Sequence, residues 1–140
     1  MKTPKNINFL VVDDMTFTHS FILQSLKKLG FEGNIFAAKN MNSAIEKIKE
    51  VYKHKMKIDV IITDLHLPDG NGIELTRKIR STSSLVNIPI IMMTTDENSH
   101  LVIEAFEAGV DNYFFKPIDD DILREKIEFA WAKKHGNKAS

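Results

Sequence analysis

Four short segments of the chain are almost wholly apolar: Ile7 to Val12, Ile58 to Thr63, Ile88 to Met93 and Tyr113 to Phe115. Runs of this length without polar alternation predict strands buried on both faces, as in a parallel sheet. Asn34 to Ala38 is a weaker fifth segment, suited to an edge. The stretches between them have a different period. Met41, Ala44, Ile45, Ile48, Val51 and Tyr52 recur at helical spacing, with Lys47, Lys49 and Lys53 largely on the other side. A preceding helix is predicted from about Thr16 to Leu29, ended by Gly30, which takes a positive φ without a Cβ clash. A third begins near Gly72, where Asn71 and Glu74 have capping-box spacing. A fourth carries Leu101, Val102, Ala105 and Phe106 and stops at Gly109. The last carries Leu123, Ile127, Ala130 and Trp131, opened by Asp119, Asp120 and Asp121, whose charges favour a helix N-terminus. The order is β-α five times over, which predicts an α/β doubly wound, (βα)5 parallel sheet with helices on both faces. A polar tail is expected from Ala132 to Ser140, with no linker or output domain.

Composition narrows the possibilities. The chain has 140 residues, enough for one core, and 19 basic residues balance 19 acidic ones. No bulk field would gather phosphate backbones or anionic lipid, so neither nucleic acid nor a membrane is expected as partner. There is no Cys, which excludes disulfides and thiolate chemistry. The apolar runs fall far short of the roughly 18 residues a membrane span requires. Met1 to Asn8 has two Lys but no apolar signal core, and a cytoplasmic location is expected.

The polar residues then become the informative ones. In an open parallel sheet, ligands bind beyond the carboxyl ends of the strands, at the switch point of the winding. Those ends carry Asp13 and Asp14, Thr63 and Asp64, Thr94 and Thr95, and Lys116. With strand order 2-1-3-4-5, the first and third strands are neighbours and the three carboxylates share one crevice beside Thr94 and Lys116. Singly, each is ordinary: Asp after a strand is a common turn or cap residue. Together, three carboxylates repel one another and call for a bound cation or raised pKa values. An all-oxygen donor set suits Mg²⁺. Carboxylate, metal, lysine and hydroxyl together describe phosphoryl transfer to an aspartate.

The stretches Phe9-Leu-Val-Val-Asp-Asp14, Ile61-Ile-Thr-Asp-Leu-His-Leu-Pro-Asp-Gly-Asn-Gly72, Pro89-Ile-Ile-Met-Met-Thr-Thr-Asp96, Ala108-Gly109 and Tyr113-Phe-Phe-Lys-Pro117 resemble those of response-regulator receiver domains. The likeness runs from Ile7 to about Lys134 and is to the single-domain, CheY-like type with a flavodoxin-like fold. It implies that Asp64 is the phosphoacceptor, that Asp13, Asp14 and Asp64 with the main-chain carbonyl of His66 hold Mg²⁺, and that Thr94 and Lys116 contact the phosphoryl oxygens. Tyr113 would reorient with Thr94 on activation, and the bond before Pro117 would be cis. The implied partners are a sensor histidine kinase or histidine phosphotransfer protein as donor. A downstream protein effector would meet the face of the fourth helix, fifth strand and fifth helix. The receiver would catalyse only its own phosphorylation and dephosphorylation.

Some positions depart from the common pattern. Thr95 stands where a smaller residue is frequent, His66 lies beside the phosphate, and His19 replaces a frequent Arg. Thr95 is expected to narrow the path of the hydrolytic water, while Asp96 and His66 border it. His54, His100 and His135 are read as solvated. Two other classes fit less well. A dehalogenase-like phosphatase needs Asp-x-Asp, and the second residue after Asp64 is His66. A nucleotide-binding fold needs a phosphate loop, of which Gly70-Asn-Gly72 is an isolated fragment. A degenerate, unphosphorylated module is disfavoured because all five active-site positions are filled.

Overall fold

The computed structural model describes residues 3–136. Five parallel strands form the main sheet: β1 (Phe9–Val12), β2 (Ile35–Ala38), β3 (Val60–Asp64), β6 (Ile90–Thr94) and β7 (Asn112–Phe115). Their spatial order is β2-β1-β3-β6-β7, which is the expected 2-1-3-4-5 winding once a small hairpin is set apart. That hairpin, β4 (His66–Leu67) and β5 (Gly70–Asn71), follows directly on Asp64. Five helices connect the strands: α1 (Thr16–Lys28), α2 (Met41–Lys53), α3 (Gly72–Arg80), α4 (Ser99–Ala108) and α5 (Asp120–His135).

Side chains of successive strand residues point to opposite faces, and both faces are covered. Leu10 and Val12 join a core with Ala44, Ile48, Leu75, Ile79 and Ala105, from α2, α3 and α4. Phe9 and Val11 join the other core with Ile22, Leu26, Leu123 and Ile127, from α1 and α5. All four residues of β1 are fully buried, each contributing about 2 kcal/mol of burial. This explains why the sequence runs show no alternation.

The ladders of β3 and β6 begin and end later than their apolar runs, and that of β1 begins later. Ile7, Ile58 and Ile88 are buried lead-in residues rather than strand members, whereas Asp64 and Thr94 are the last residues of β3 and β6. Two site residues are therefore fixed by ladder hydrogen bonding. The caps agree with the reading. Gly30 and Gly109 take φ of 93° and 114°, and Asn71 Oδ1 accepts from Glu74 N at 2.8 Å. Asp119 is the N-cap of α5, accepting from Ile122 N.

The expected tail from Ala132 needs correction. The last helix continues to His135, because Lys134 reaches buried Asp111 at 3.2 Å and the His135 ring stacks on Trp131 at 3.8 Å between centroids. His135 is exposed as expected, with one ring face covered by Trp131. Residues 137–140 of that tail, and Met1 and Lys2 of the N-terminal reading, lie outside the described residues. No described helix is long and apolar enough to cross a membrane.

Candidate functional site

The pairing of β1 with β3 brings Asp13, one residue past β1, beside Asp64 at the end of β3. Asp13, Asp14 and Asp64 each offer an oxygen within 4.8 Å of the others. Asp13 is fully buried, Asp64 is 9% exposed, and Asp14 is open to solvent. Lys116 enters from the end of β7, where its N–H bonds the Thr94 carbonyl at 2.8 Å. Its Nζ donates to Asp13 Oδ2 at 2.8 Å and to Asp64 Oδ2 at 2.9 Å. The Lys116–Pro117 peptide is cis, as the resemblance implied. Three carboxylates thus face one ammonium, and the excess negative charge in an all-oxygen setting fits a hard divalent cation.

Electrostatics follow this geometry. Burial raises the Asp64 carboxyl above the ordinary aspartate range; Lys116 pulls it down, Asp13 pushes it up, and the net direction is upward. Burial alone would lower Lys116, but its bonds to Asp13 and Asp64, and their charges, hold its ammonium above the ordinary lysine value. It stays protonated at neutral pH.

Asp13 also does the ordinary turn work of an aspartate, since its Oδ1 accepts from Met15 N at 2.7 Å and so opens α1. The structural and the site roles coexist in one side chain. Thr94 is fully buried and its Oγ1 accepts from Asp96 N at 3.0 Å, which leaves the hydroxyl proton available to donate.

Several features escaped the sequence reading. His66 Nε2 lies 2.8 Å from Asp96 Oδ2, a clasp from the hairpin after Asp64 to the loop after Thr94. Asp96 Oδ1 is taken by Asn98 N. Each oxygen thus accepts one hydrogen bond, which fixes the orientation of the carboxylate. The bonds from His66 and Asn98 hold its carboxyl below the usual range. His19 Nε2 donates to the Asp13 carbonyl at 2.6 Å, supporting the acid pair from behind. A Cβ on Gly72 would come within 2.5 Å of the Asp64 carbonyl oxygen. Only glycine lets α3 begin this close to the site, while Gly72 N donates to Leu65 O at 2.7 Å. The Gly70-Asn-Gly72 fragment gave the sole sequence hint of this.

Tyr113 stands on β7, the strand that leads into the site. Its ring is inward, 7% exposed, packed 5.5 Å from the Phe115 ring and 6.3 Å from that of Phe106, with a buried hydroxyl lacking a partner. Phe106 and Phe115 hold it there by apolar contact.

Residues 9–128 match the family described as Response regulator receiver domain. The chain belongs to that family. This receiver is 39% identical over 122 residues to the Chemotaxis protein CheY1 of Helicobacter pylori, covering 87% of this chain and 94% of that protein. It is 32% identical over 130 residues to the Chemotaxis protein CheY of Pseudomonas aeruginosa, covering 93% of this chain and all of that one. Among solved structures, a CheY-like receiver domain protein of Methanospirillum hungatei superposes with a TM-score of 0.79 at 25% identity, covering 93% of this receiver and 97% of that chain.

Proposed function

We propose that this receiver accepts a phosphoryl group on Asp64 from the phosphohistidine of a sensor histidine kinase or histidine phosphotransfer protein, with Mg²⁺ as cofactor. The observation that carries the reading is Lys116 bound to both Asp13 and Asp64 in a crevice that still has excess negative charge. Asp13, Asp14, Asp64 and the main-chain carbonyl of His66 would hold the ion. When bound, Mg²⁺ supplies positive charge against the transferring phosphoryl oxygens.

The side chains do the rest. Asp64 Oδ2 is tied to Lys116, whereas Oδ1 has only a long contact from His66 N at 3.3 Å. Oδ1 is the nucleophile. Its lone pair forms the new P–O bond, the P–N bond to the donor imidazole breaks, and that electron pair leaves with the imidazole. Lys116 answers the phosphoryl charge, and the free proton of the Thr94 hydroxyl donates to a phosphoryl oxygen. The receiver modifies and restores itself; there is no separate substrate.

Drawing Thr94 toward the phosphoryl pulls on the loop that its Oγ1 shares with Asp96, at the start of α4. The ring of Tyr113 behind it is already inward, so the switch consists of fixing this arrangement rather than of burying the ring. The readout face is α4, β7 and α5, where Ile103, Phe106, Phe115, Ile122 and Phe129 are exposed, a surface for a protein effector. The assignment as one cytoplasmic receiver in two-component or chemotaxis-type signalling follows from the same reading.

Incubation with acetyl phosphate and Mg²⁺ tests it. Intact-mass measurement should show one phosphoryl per chain, absent in Asp64→Asn. An equal stoichiometric adduct in that variant, mapped to another residue, would overturn the assignment.

A further inference from the structure

Helices α2, α3 and α4 share one face of the sheet, but α3 packs closely on α4 and stands apart from α2. The gap is an open groove of about 360 Å³, in the range of small-molecule sites. Ile45, Ile48 and Tyr52, at helical spacing, form its α2 wall. Ile79, near the end of α3, and Leu85, in the loop beyond it, form the other. Its only charged residues are Lys49 and Lys78, one from each wall, and no carboxylate lines it. Close by, Lys47 is paired with Glu50 and Arg77 with Glu104. Lys49 and Lys78 form no ion pair among the described residues. Two unanswered ammoniums bordering one apolar trough repel each other, and an anion seated between them would turn that repulsion into two attractions.

We propose that this groove binds a small amphiphilic organic anion, with its charged head between Lys49 and Lys78 and a medium-length hydrocarbon body over Ile48, Ile79 and Leu85. Charge and polarity select the class together. A neutral ligand would leave both ammoniums unanswered, and a cation would be repelled. A wholly polar anion would leave the isoleucine walls in water, where burial of hydrocarbon contributes most. Ser84, also on the lining, adds a hydroxyl that can donate to the head. Occupation would brace the turn from Thr82 to Leu85, closed by the Leu85 N–Thr82 O bond of 2.9 Å, against α2. None of these residues belongs to the carboxyl-end site, so the proposal stands apart from the phosphoacceptor reading of Asp64.

Decanoate, ionised at neutral pH, and neutral decanol test this on the full chain, since the two share a hydrocarbon length and differ in the charge of the head. Both are kept below the concentration at which they aggregate, and methyl chemical shifts report site and affinity together. Decanoate should shift the methyls of Ile45, Ile48, Ile79 and Leu85 in a saturable way and raise the thermal midpoint of unfolding. Decanol should bind at least about fivefold more weakly, because each exposed ion pair is worth a few-fold. Lys49→Gln and Lys78→Gln should each weaken decanoate a few-fold and leave decanol unchanged; both lysines are exposed, so neither change threatens the fold. Ile45→Ala, by contrast, should weaken both ligands. Equal affinity for decanoate and decanol overturns the proposal, because the lysines would then select nothing. So does an absence of saturable shifts at the four residues, or a decanoate affinity unchanged in both lysine variants. Retention on anionic lipid vesicles that is lost in the lysine variants, with no response to free decanoate, would assign the lysines to a membrane surface and overturn it as well.

Discussion

The two ends of the sheet each bury an aspartate against a cation, and they do so to opposite purposes. At the amino end, Arg80 donates to Asp111 Oδ2 at 2.8 Å and to the carbonyls of Val86, Ile88 and Gly109. Asp111 Oδ2 also accepts from Ile90 N at 2.8 Å, and Lys133 and Lys134 lie 3.9 and 3.2 Å from its other oxygen. Cations exceed anions there, and the guanidinium fork ties the end of α3, the loop before β6, the end of α4 and the start of β7 into one joint. At the carboxyl end the balance is reversed. One lysine serves two carboxylates while Asp14 stands open. Satisfied charge makes a structural joint; unsatisfied charge of one sign makes a place for a ligand.

The sharpest way to break this contrast is to remove Arg80. Arg80→Ala leaves Asp111, 1% exposed, without its main partner, and loss of one member of a buried pair costs about 3–5 kcal/mol. The value should fall at the low end, because Lys134 remains close. Urea denaturation measures it, and labelling of Asp64 at low temperature should survive. A loss below about 1 kcal/mol would mean that the lysines alone hold the joint.

At the other end the same operation should act on ligand rather than on fold. Asp14→Asn removes an exposed charge and should weaken Mg²⁺ binding at least about tenfold, with apo stability unchanged or raised as repulsion eases. Asp13→Asn should weaken Mg²⁺ too, but also cost stability, since Asp13 holds Lys116 and Met15 N. Titration calorimetry with thermal unfolding separates the two effects. Unchanged affinity in both variants would remove the carboxylate cluster as a metal site.

The two ends were also unequally legible in the sequence. Asp13, Asp14, Asp64, Thr94 and Lys116 each follow or close an apolar run, so strand order alone gathers them. Arg80 and Asp111 are 31 residues apart and neither sits in a telling pattern. Their pairing depends on where α3 ends and β7 begins, which periodicity leaves uncertain by a residue or two. Lys133 and Lys134 read as a polar tail because their partner, Asp111, is supplied by tertiary packing, whereas the His135 contact with Trp131 is an i,i+4 pair that forms only if the helix runs that far. The β4–β5 hairpin was invisible because two-residue strands have no period to read.

Thr95 gives a smaller effect at the carboxyl end. It is exposed and lines a groove beside Lys116, while Asp96 is oriented by its bonds to His66 and Asn98. With Asp96 held in place by these bonds, bulk at Thr95 is the simpler control on hydrolysis. Thr95→Ala should shorten the phosphoaspartate half-life a few-fold without changing Mg²⁺ affinity. Phosphate release from prelabelled protein decides it; an equal or longer half-life would make the Thr95 hydroxyl a water-positioning group instead.

The smallest effect belongs to the amino end and uses the only tryptophan as its reporter. Trp131 stacks on His135, near Asp59 and Lys57 at the start of β3. Burial lowers the His135 pKa from its ordinary value, with Asp59 opposing and Lys57 assisting. A histidine whose folded pKa is depressed adds stability above its unfolded value, near 6.5, and loses it as pH falls through the folded value. Trp131 fluorescence should therefore change with a midpoint below about 6.5, as the imidazolium forms against the indole. Mg²⁺ should leave the signal nearly unchanged, because the indole lies at the opposite end of the sheet from Asp13 and Asp64. His135→Gln should abolish the pH response. A midpoint at or above the free-histidine value would show that the stack does not shield the ring. A large response to Mg²⁺ would show that the two ends are coupled, and that the amino-end joint takes part in the switch.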